Sequence, residues 1–315
     1  MGKRLYFIDN LRGFLIILVI IGHCIQYMDI DYDHNIIFRY IYSFHMPLFM
    51  FVSGYVSYKH DYRWSLIKRR AIQLIVPFIS WAMIGMTISG SYDMKFLTHP
   101  DTALWFLWVL FWIGTVHMSL SKCCRRFNLN EEIVFSISCF LFLAILLFSK
   151  LSFGFHLFAW YLPFYVFGAF SRKHDSLFSD IMDRCRLPLG AFFVILAFFW
   201  MRNESPTFMS SQSQVIIFGY KFIVGLIGSL FFMSVARISD GKLLLISEIG
   251  GGMTLGIYAI HQYIIRSTSF LDMDKTAYNT FCGISISFVI VLIITLIAYY
   301  LLSRFRFTSR LFLGK

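Results

Sequence analysis

Residues 11–28 read LRGFLIILVIIGHCIQYM, an apolar run that holds one arginine and one histidine. Hydrophobic runs of about 17 to 23 residues are long enough to cross a bilayer as helices, and this one is not alone. Comparable spans fall near 36–57, 71–90, 103–120, 133–149, 155–171, 187–202, 214–236, 253–271 and 279–302. The pattern predicts an all-α polytopic membrane protein, a bundle of about ten transmembrane helices. Lys3 and Arg4 precede the first run as the charged leader of a signal peptide would, but the run is long and no small-residue cleavage site follows it. The segment is therefore expected to stay attached.

Composition agrees with that reading. Of 315 residues, 58% are apolar and 14% charged, and the mean hydropathy is +0.69, which leaves too little polar surface to cover a soluble globule of this size. Aromatic residues make up 19%, and 37 of them are Phe, as suits lipid-facing helices. No internal repeat, low-complexity stretch or linker is present. A single membrane domain over 1–315 is expected, with no separate soluble domain.

A formal charge of +11 raises the question of nucleic acid, and the distribution of the charge answers it. With Lys3 and Arg4 inside the cell, the loops 59–70, 122–132, 172–186 and 237–252 and the tail after 303 are also inside. Those segments hold 20 of the 28 basic residues, the opposite loops hold four (Lys95, Lys150, Arg202, Lys275), and four (Arg12, Arg39, Lys221, Arg266) fall within spans. The asymmetry predicts cytoplasmic termini and contact with anionic membrane lipids, with no nucleic-acid partner. Six cysteines show no disulfide framework. Cys123 and Cys124 are adjacent rather than spaced as metal ligands, and no metal is expected.

Ionisable residues within spans are the informative ones, because each costs about 2.5 to 3.5 kcal/mol at a helix centre on insertion scales. Asp9, Arg12, Ile16, Val19, His23 and Gln26 recur at three- and four-residue steps and share one helical face. Arg12 and His23 return to nearly the same azimuth about 16 Å apart along the axis. An elongated anionic ligand would fit this spacing, its phosphates at Arg12 and its reactive end at His23. An arginine snorkelling to the interface above a histidine satisfied between helices explains the spacing equally well.

Span two carries Arg39, His45 and Pro47, then Ser53, Gly54 and Tyr55. Because it runs inward while span one runs outward, His45 and His23 are expected at one depth, sharing a cavity. Ser53 and Gly54 favour close helix packing. The densest basic cluster, from Lys59 to Arg70, ends in Arg69-Arg70 where a membrane helix begins. In span nine, after a Gly250-Gly251-Gly252 run, Tyr258, Gln262 and Arg266 follow four-residue steps beside His261. Lys221 and Arg39 are candidates by default, with no partner that the sequence names.

These motifs resemble the acyltransferase 3 family of bacterial membrane O-acyltransferases over most of the chain. The matching pieces are Ile8-Asp9-Asn10-Leu11-Arg12-Gly13 with His23 beyond, Phe44-His45-Met46-Pro47-Leu48-Phe49 with Ser53-Gly54-Tyr55, Lys68-Arg69-Arg70 leading to Pro77-Phe78, Trp105-Phe106-Leu107, and Gly256-Ile257-Tyr258 with His261. The resemblance implies transfer of an acyl group, usually acetyl, from cytosolic acyl-CoA to a sugar hydroxyl. It implies that Arg12, Arg69 and Arg70 hold the CoA phosphates, that His23 is the residue closest to acyl transfer, and that His45 and His261 support it. Asp9, Ser53, Tyr258 and Arg266 are supporting candidates, the last two as oxyanion donors. Several relatives carry an extracytoplasmic hydrolase-like domain that this chain lacks, which implies the stand-alone branch that modifies surface polysaccharide or lipid-linked antigen units in the inner membrane. The Phe-His-Met-Pro form leans toward fucose or O-antigen acetylases. The competing readings are a polytopic transporter and a non-catalytic assembly partner in glycan export. Transporters more often show repeats or paired broken helices, and neither is visible here.

Overall fold

A chain in lipid must satisfy each backbone amide within its own segment, so long apolar runs fold as helices. The computed structural model describes residues 5–59, 64–90, 96, 99, 104–148, 153–205, 209, 213–239, 243–268 and 277–315. Among them every regular element is helical. In order these are α1 (Tyr6–Met28), α2 (Ile36–Ser57), α3 (Ser65–Ser89), α4 (Trp105–Arg126), α5 (Glu131–Phe148), α6 (Phe155–Lys173), α7 (Asp175–Phe198) and α8 (Gln214–Ile238). The short α9 (Leu244–Glu248) passes through a π-helical turn, Ile249–Met253, into α10 (Thr254–Thr268). Then come α11 (Ala277–Ser303), α12 (Arg306–Thr308) and a second π-helical turn, Ser309–Leu313.

Helices occupy each position where the sequence predicts a span. Six of them, α1, α2, α3, α4, α8 and the Phe281–Ser303 part of α11, are long and apolar enough to cross a membrane. Large apolar side chains stand exposed along these and other helices, among them Ile286, Val289, Ile293 and Ile297 of α11 and Phe140 and Leu141 of α5. A bilayer would cover such surface, and water would not.

Three boundaries differ from the sequence reading. The predicted loop 172–186 is mostly helical, since α7 already starts at Asp175. Phe178 and Met182, one turn apart, are buried while Asp180, Asp183 and Arg184 are exposed. Arg186 pairs with Asp183 within that helix at 2.5 Å. Charge density disguised an amphipathic turn as a loop. The glycine run 250–252 likewise lies inside a helix, in the first π-helical turn, rather than before one. The tail after 303, counted in the sequence only as a basic segment, carries α12 and the second π-helical turn.

The chain divides into two compact units, Met1–Phe49 with Ser176–Leu301, and Met50–Asp175 with Leu302–Lys315. In the first, α1 is central, with Leu15, Ile16, Val19, Ile20 and Cys24 almost wholly enclosed. It meets α9, the first π-helical turn and α10 at backbone distance. A Cβ on Gly13 would land on the Ile246 carbonyl, and one on Gly250 would land on the Asp9 carbonyl. Asn10 ties the same region through its side chain, its Nδ2 donating to the Ser239 carbonyl (3.4 Å) and its Oδ1 accepting from the Leu243 amide (3.3 Å). Elsewhere in this unit Phe44 stacks on Phe232 at 4.1 Å between ring centroids, over Gly228.

In the second unit the end of α2 crosses α6 where Gly54 faces the Tyr165 carbonyl and Gly168 faces the Phe51 carbonyl. Small residues permit that approach, as expected for Gly54. Tyr55 Oη donates to Asp175 (2.5 Å) and accepts from Arg172 (3.2 Å). The tail lies on α3: Trp81 Nε1 donates to the Phe312 carbonyl at 2.9 Å.

The backbone contact at Gly250 makes a direct prediction. Gly250→Val forces apart α1 and the π-helical turn and should cost about 1 to 3 kcal/mol, lowering the thermal unfolding midpoint in detergent. Gly219→Ala, where nothing lies within 4 Å of an added Cβ, should be neutral or slightly stabilising. Equal behaviour of the two variants would show that the contact does not matter to stability.

Candidate functional site

Three histidines meet in the first unit because α1, α2 and α10 each turn one toward the same place. The rings of His23 and His261 have centroids 5.4 Å apart. His45 joins them through Tyr42, whose ring is 4.8 Å from His45 and whose hydroxyl lies 3.3 Å from His23 Nδ1. Tyr42 sits three residues before His45, so both project from one side of α2. The expected shared site of His23 and His45 is thus bridged by a residue that the sequence did not single out.

The hydrogen bonds define each ring. His45 Nδ1 donates to the Ile41 carbonyl at 2.7 Å, and His261 Nδ1 donates to the Ile257 carbonyl at 2.9 Å. Both rings are fastened to the preceding turn of their own helices and both are buried. His23 differs. Its Nδ1 lies 3.2 Å from Gln26 Oε1, which also accepts from Tyr42 Oη at 3.1 Å. With the amide oxygen placed there, Nδ1 is the protonated nitrogen, and the lone pair of His23 is on Nε2. His23 is half-buried where His45 and His261 are enclosed, and His261 Nε2 is a buried atom with no hydrogen-bond partner among the described residues. An enclosed acceptor with this geometry suits a hydroxyl or a water as its donor.

Beyond His23 the site has a basic rim. Asp33 is buried and its carboxylate accepts the backbone amides of Arg202 (2.6 Å) and Asn203 (2.8 Å). Arg39 Nε donates to the Asp33 carbonyl at 2.9 Å, and Lys221 Nζ to the Arg202 carbonyl at 3.0 Å. The two cations without a nameable partner in the sequence therefore fasten the loops that carry the rim. Arg202 itself stands 5.1 Å over the Tyr42 ring. The sequence counted it only as one of four loop cations, and the signal that marks it, a carboxylate 169 residues away, exists only in the fold.

Arg12 is half-buried near the other end of α1, one turn from Asp9, which is buried. Arg12 and His23 lie on one uninterrupted helix. Tyr258 flanks His261 at 5.9 Å between centroids, whereas Arg266 Nε donates to Tyr27 Oη at 3.2 Å, one turn past His23 along α1. Ser53 belongs to the second unit, as do Arg69 and Arg70, and those two arginines diverge. Arg69 is exposed. Arg70 turns inward, its Nη2 donating to Tyr165 Oη at 3.1 Å and its Nη1 filling the space left by Gly114, buried and without a hydrogen-bond partner among the described residues.

No solved structure matches the chain. It is similar to the nodulation protein NolL of Mesorhizobium japonicum, with 38% identity over 122 residues covering 33% of this chain and 32% of that protein. It is also similar to the nodulation protein NolL of Sinorhizobium fredii, with 32% identity over 144 residues covering 39% and 37%. The matched region spans only about a third of the length of these relatives. The model of the acyltransferase domain family, acyltransferase 3, matches residues 5–300, a range that takes in the arginine and histidines of α1, α2 and α10. This multi-pass membrane chain belongs to the acyltransferase 3 family.

Proposed function

We propose that the protein is a membrane O-acetyltransferase that moves an acetyl group from cytosolic acetyl-CoA to a hydroxyl of a cell-surface or lipid-linked glycan. The observation that carries this reading is the geometry at His23, whose Nδ1 lies beside Gln26 Oε1 and Tyr42 Oη, which supports Nε2 as the base. Family membership supports the reaction class. In this reading the protein is a ten-span bundle in the bacterial inner membrane with cytoplasmic termini, which the distribution of Lys and Arg supports.

The chemistry follows from the base. His23 Nε2 takes the proton of the acceptor hydroxyl as its oxygen attacks the thioester carbonyl and a C–O bond forms. The tetrahedral oxyanion collapses, the C–S bond breaks, and the imidazolium returns its proton to the departing thiolate. Gln26 and Tyr42 are positioning residues that hold the ring. His261 Nε2 offers an acceptor to a second hydroxyl or a water, and Tyr258, whose ring flanks His261, is the proposed oxyanion donor. Asp9 sets the surroundings of Arg12, which takes CoA phosphate at the far end of α1. The rim at Arg202 faces the acceptor.

His23→Ala should lower acetyl transfer by about 100-fold or more with normal expression and unfolding temperature. Mass spectrometry of the surface glycan, with and without the gene, reads this in cells, and acetyl-CoA turnover by the purified protein reads it in vitro. Full acetylation by the alanine variant would sink the proposal.

Tyr42→Phe should have a smaller effect, about tenfold on kcat with KM for acetyl-CoA nearly constant, because it releases the ring without removing the base. A purely structural tyrosine would leave kcat unchanged.

A further inference from the structure

Position 202 is held at both ends of its main chain. The two carboxylate oxygens of buried Asp33 accept the amides of Arg202 (2.6 Å) and Asn203 (2.8 Å), and Lys221 Nζ donates to the Arg202 carbonyl at 3.0 Å. Arg39 fastens the carbonyls of Asp33 (2.9 Å) and Phe198 (3.2 Å), and Asn203 Nδ2 donates to Tyr32 Oη at 2.8 Å. Trp200 and Met201, the two residues before, are buried. Three ionisable side chains thus direct their hydrogen bonds to the backbone around one short loop. The side chain that they hold out is an exposed guanidinium, 5.1 Å over the ring of Tyr42.

That guanidinium makes no hydrogen bond or ion pair among the described residues, although four carboxylates belong to the same loops. Asp29 accepts from the Asp31 amide (3.0 Å) and Asn35 Nδ2 (3.1 Å), Asp31 meets His34 Nδ1 at 2.6 Å, and Glu204 lies 3.9 Å from His34 Nε2. Asp33 is occupied by the two amides. Contact with a tyrosine ring is a weak reason to keep a cation here. Membrane topology gives none, since the orientation proposed above puts only four Lys and Arg in the loops opposite the termini, against 20 on the other side. An arginine fork suits a carboxylate or a phosphate, whose paired oxygens accept two parallel N–H groups. Its place gives such a ligand a purpose. Tyr42, beneath the guanidinium, has its hydroxyl 3.3 Å from His23 Nδ1 and its ring 4.8 Å from that of His45. One tyrosine side chain separates the fork from the proposed base, so an anion bound there lies close to the reacting hydroxyl.

We propose that Arg202 binds an anionic group of the acceptor, a carboxylate or a phosphate carried by the acetylated sugar or attached directly to it. This rests on the O-acetyltransferase reading above and narrows its acceptor from any glycan to an acidic one. Arg202 is then a substrate-binding residue, and the clasp of Asp33, Arg39 and Lys221 positions it.

The test uses the full chain in detergent and glycan extracted, with its lipid carrier, from cells lacking the gene. The glycan is offered untreated, carboxyl-reduced and dephosphorylated. Wild-type protein should bind the untreated form about tenfold or more tighter than one of the neutralised forms. Loss on carboxyl reduction assigns the anion to a sugar carboxylate, and loss on dephosphorylation assigns it to a phosphate. Arg202→Gln should bring that preference close to one and raise KM for untreated glycan by about tenfold, with kcat changed less than about threefold. Arg202→Lys should retain part of the preference, and equal unfolding temperatures would show that the loop persists. Wild-type protein that binds all three forms alike would overturn the site. So would an Arg202→Gln variant that keeps the wild-type preference, or one that weakens for all three forms equally, as loss of a merely structural arginine would do. Glycan binding is read without acetyl-CoA, so an absence of turnover would count against the acetyltransferase reading alone.

Discussion

The first unit depends on one constraint, that α1 touches the π-helical turn 249–253 backbone to backbone. Gly250 of the turn faces the Asp9 carbonyl of α1, and Gly13 of α1 faces the Ile246 carbonyl of α9 just before the turn, each at a distance that admits no Cβ. A π-helical turn widens the helix by one residue and shifts the facing of everything beyond it. The orientation of α10, and with it the direction in which His261 projects, follows from how α9 enters that turn. The ring contact between His23 and His261 is therefore set by packing that occurs ten residues earlier on one helix and eleven on the other.

Polar groups inside such a bundle must be satisfied locally or they destabilise it, and the histidines illustrate two solutions. His45 and His261 give their Nδ1 protons to carbonyls of their own helices, a bond that forms wherever the helix forms. His23 uses side chains instead, Gln26 on its own helix and Tyr42 on a neighbour. Its orientation thus depends on tertiary contact. It is the ring held by the most adjustable partners, which suits the proton transfer proposed for it.

Sequence periodicity made the helices legible because lipid permits little else, and the face that joins Arg12 to His23 could be read from 3.6-residue steps alone. What escaped reading depended on contacts between distant segments. Residues 175–186 carry three aspartates and two arginines, yet Phe178 and Met182 bury one face and make them a helix. Nothing in the spacing of span two marks Tyr42, whose hydroxyl meets His23 only because α1 and α2 pack together. Arg69 and Arg70, adjacent in sequence, project about 100° apart on a helix, so one is exposed and the other meets Tyr165 and Gly114. Neighbours in sequence are seldom neighbours in a helical site.

The clasp at Asp33 has a consequence for how this protein can vary. Both of its hydrogen bonds to the rim end on main-chain amides, those of positions 202 and 203, and the lysine that braces the loop also meets a main-chain carbonyl. The path of the backbone over Tyr42 is therefore fixed without reference to the side chain at 202. That position can exchange charge for hydroxyl, amide or aromatic character while the loop keeps its course. Variation in the side chain that stands over Tyr42 is separated from variation in how the histidines are held, so under the proposed function one unchanged set of rings could serve many different acceptors.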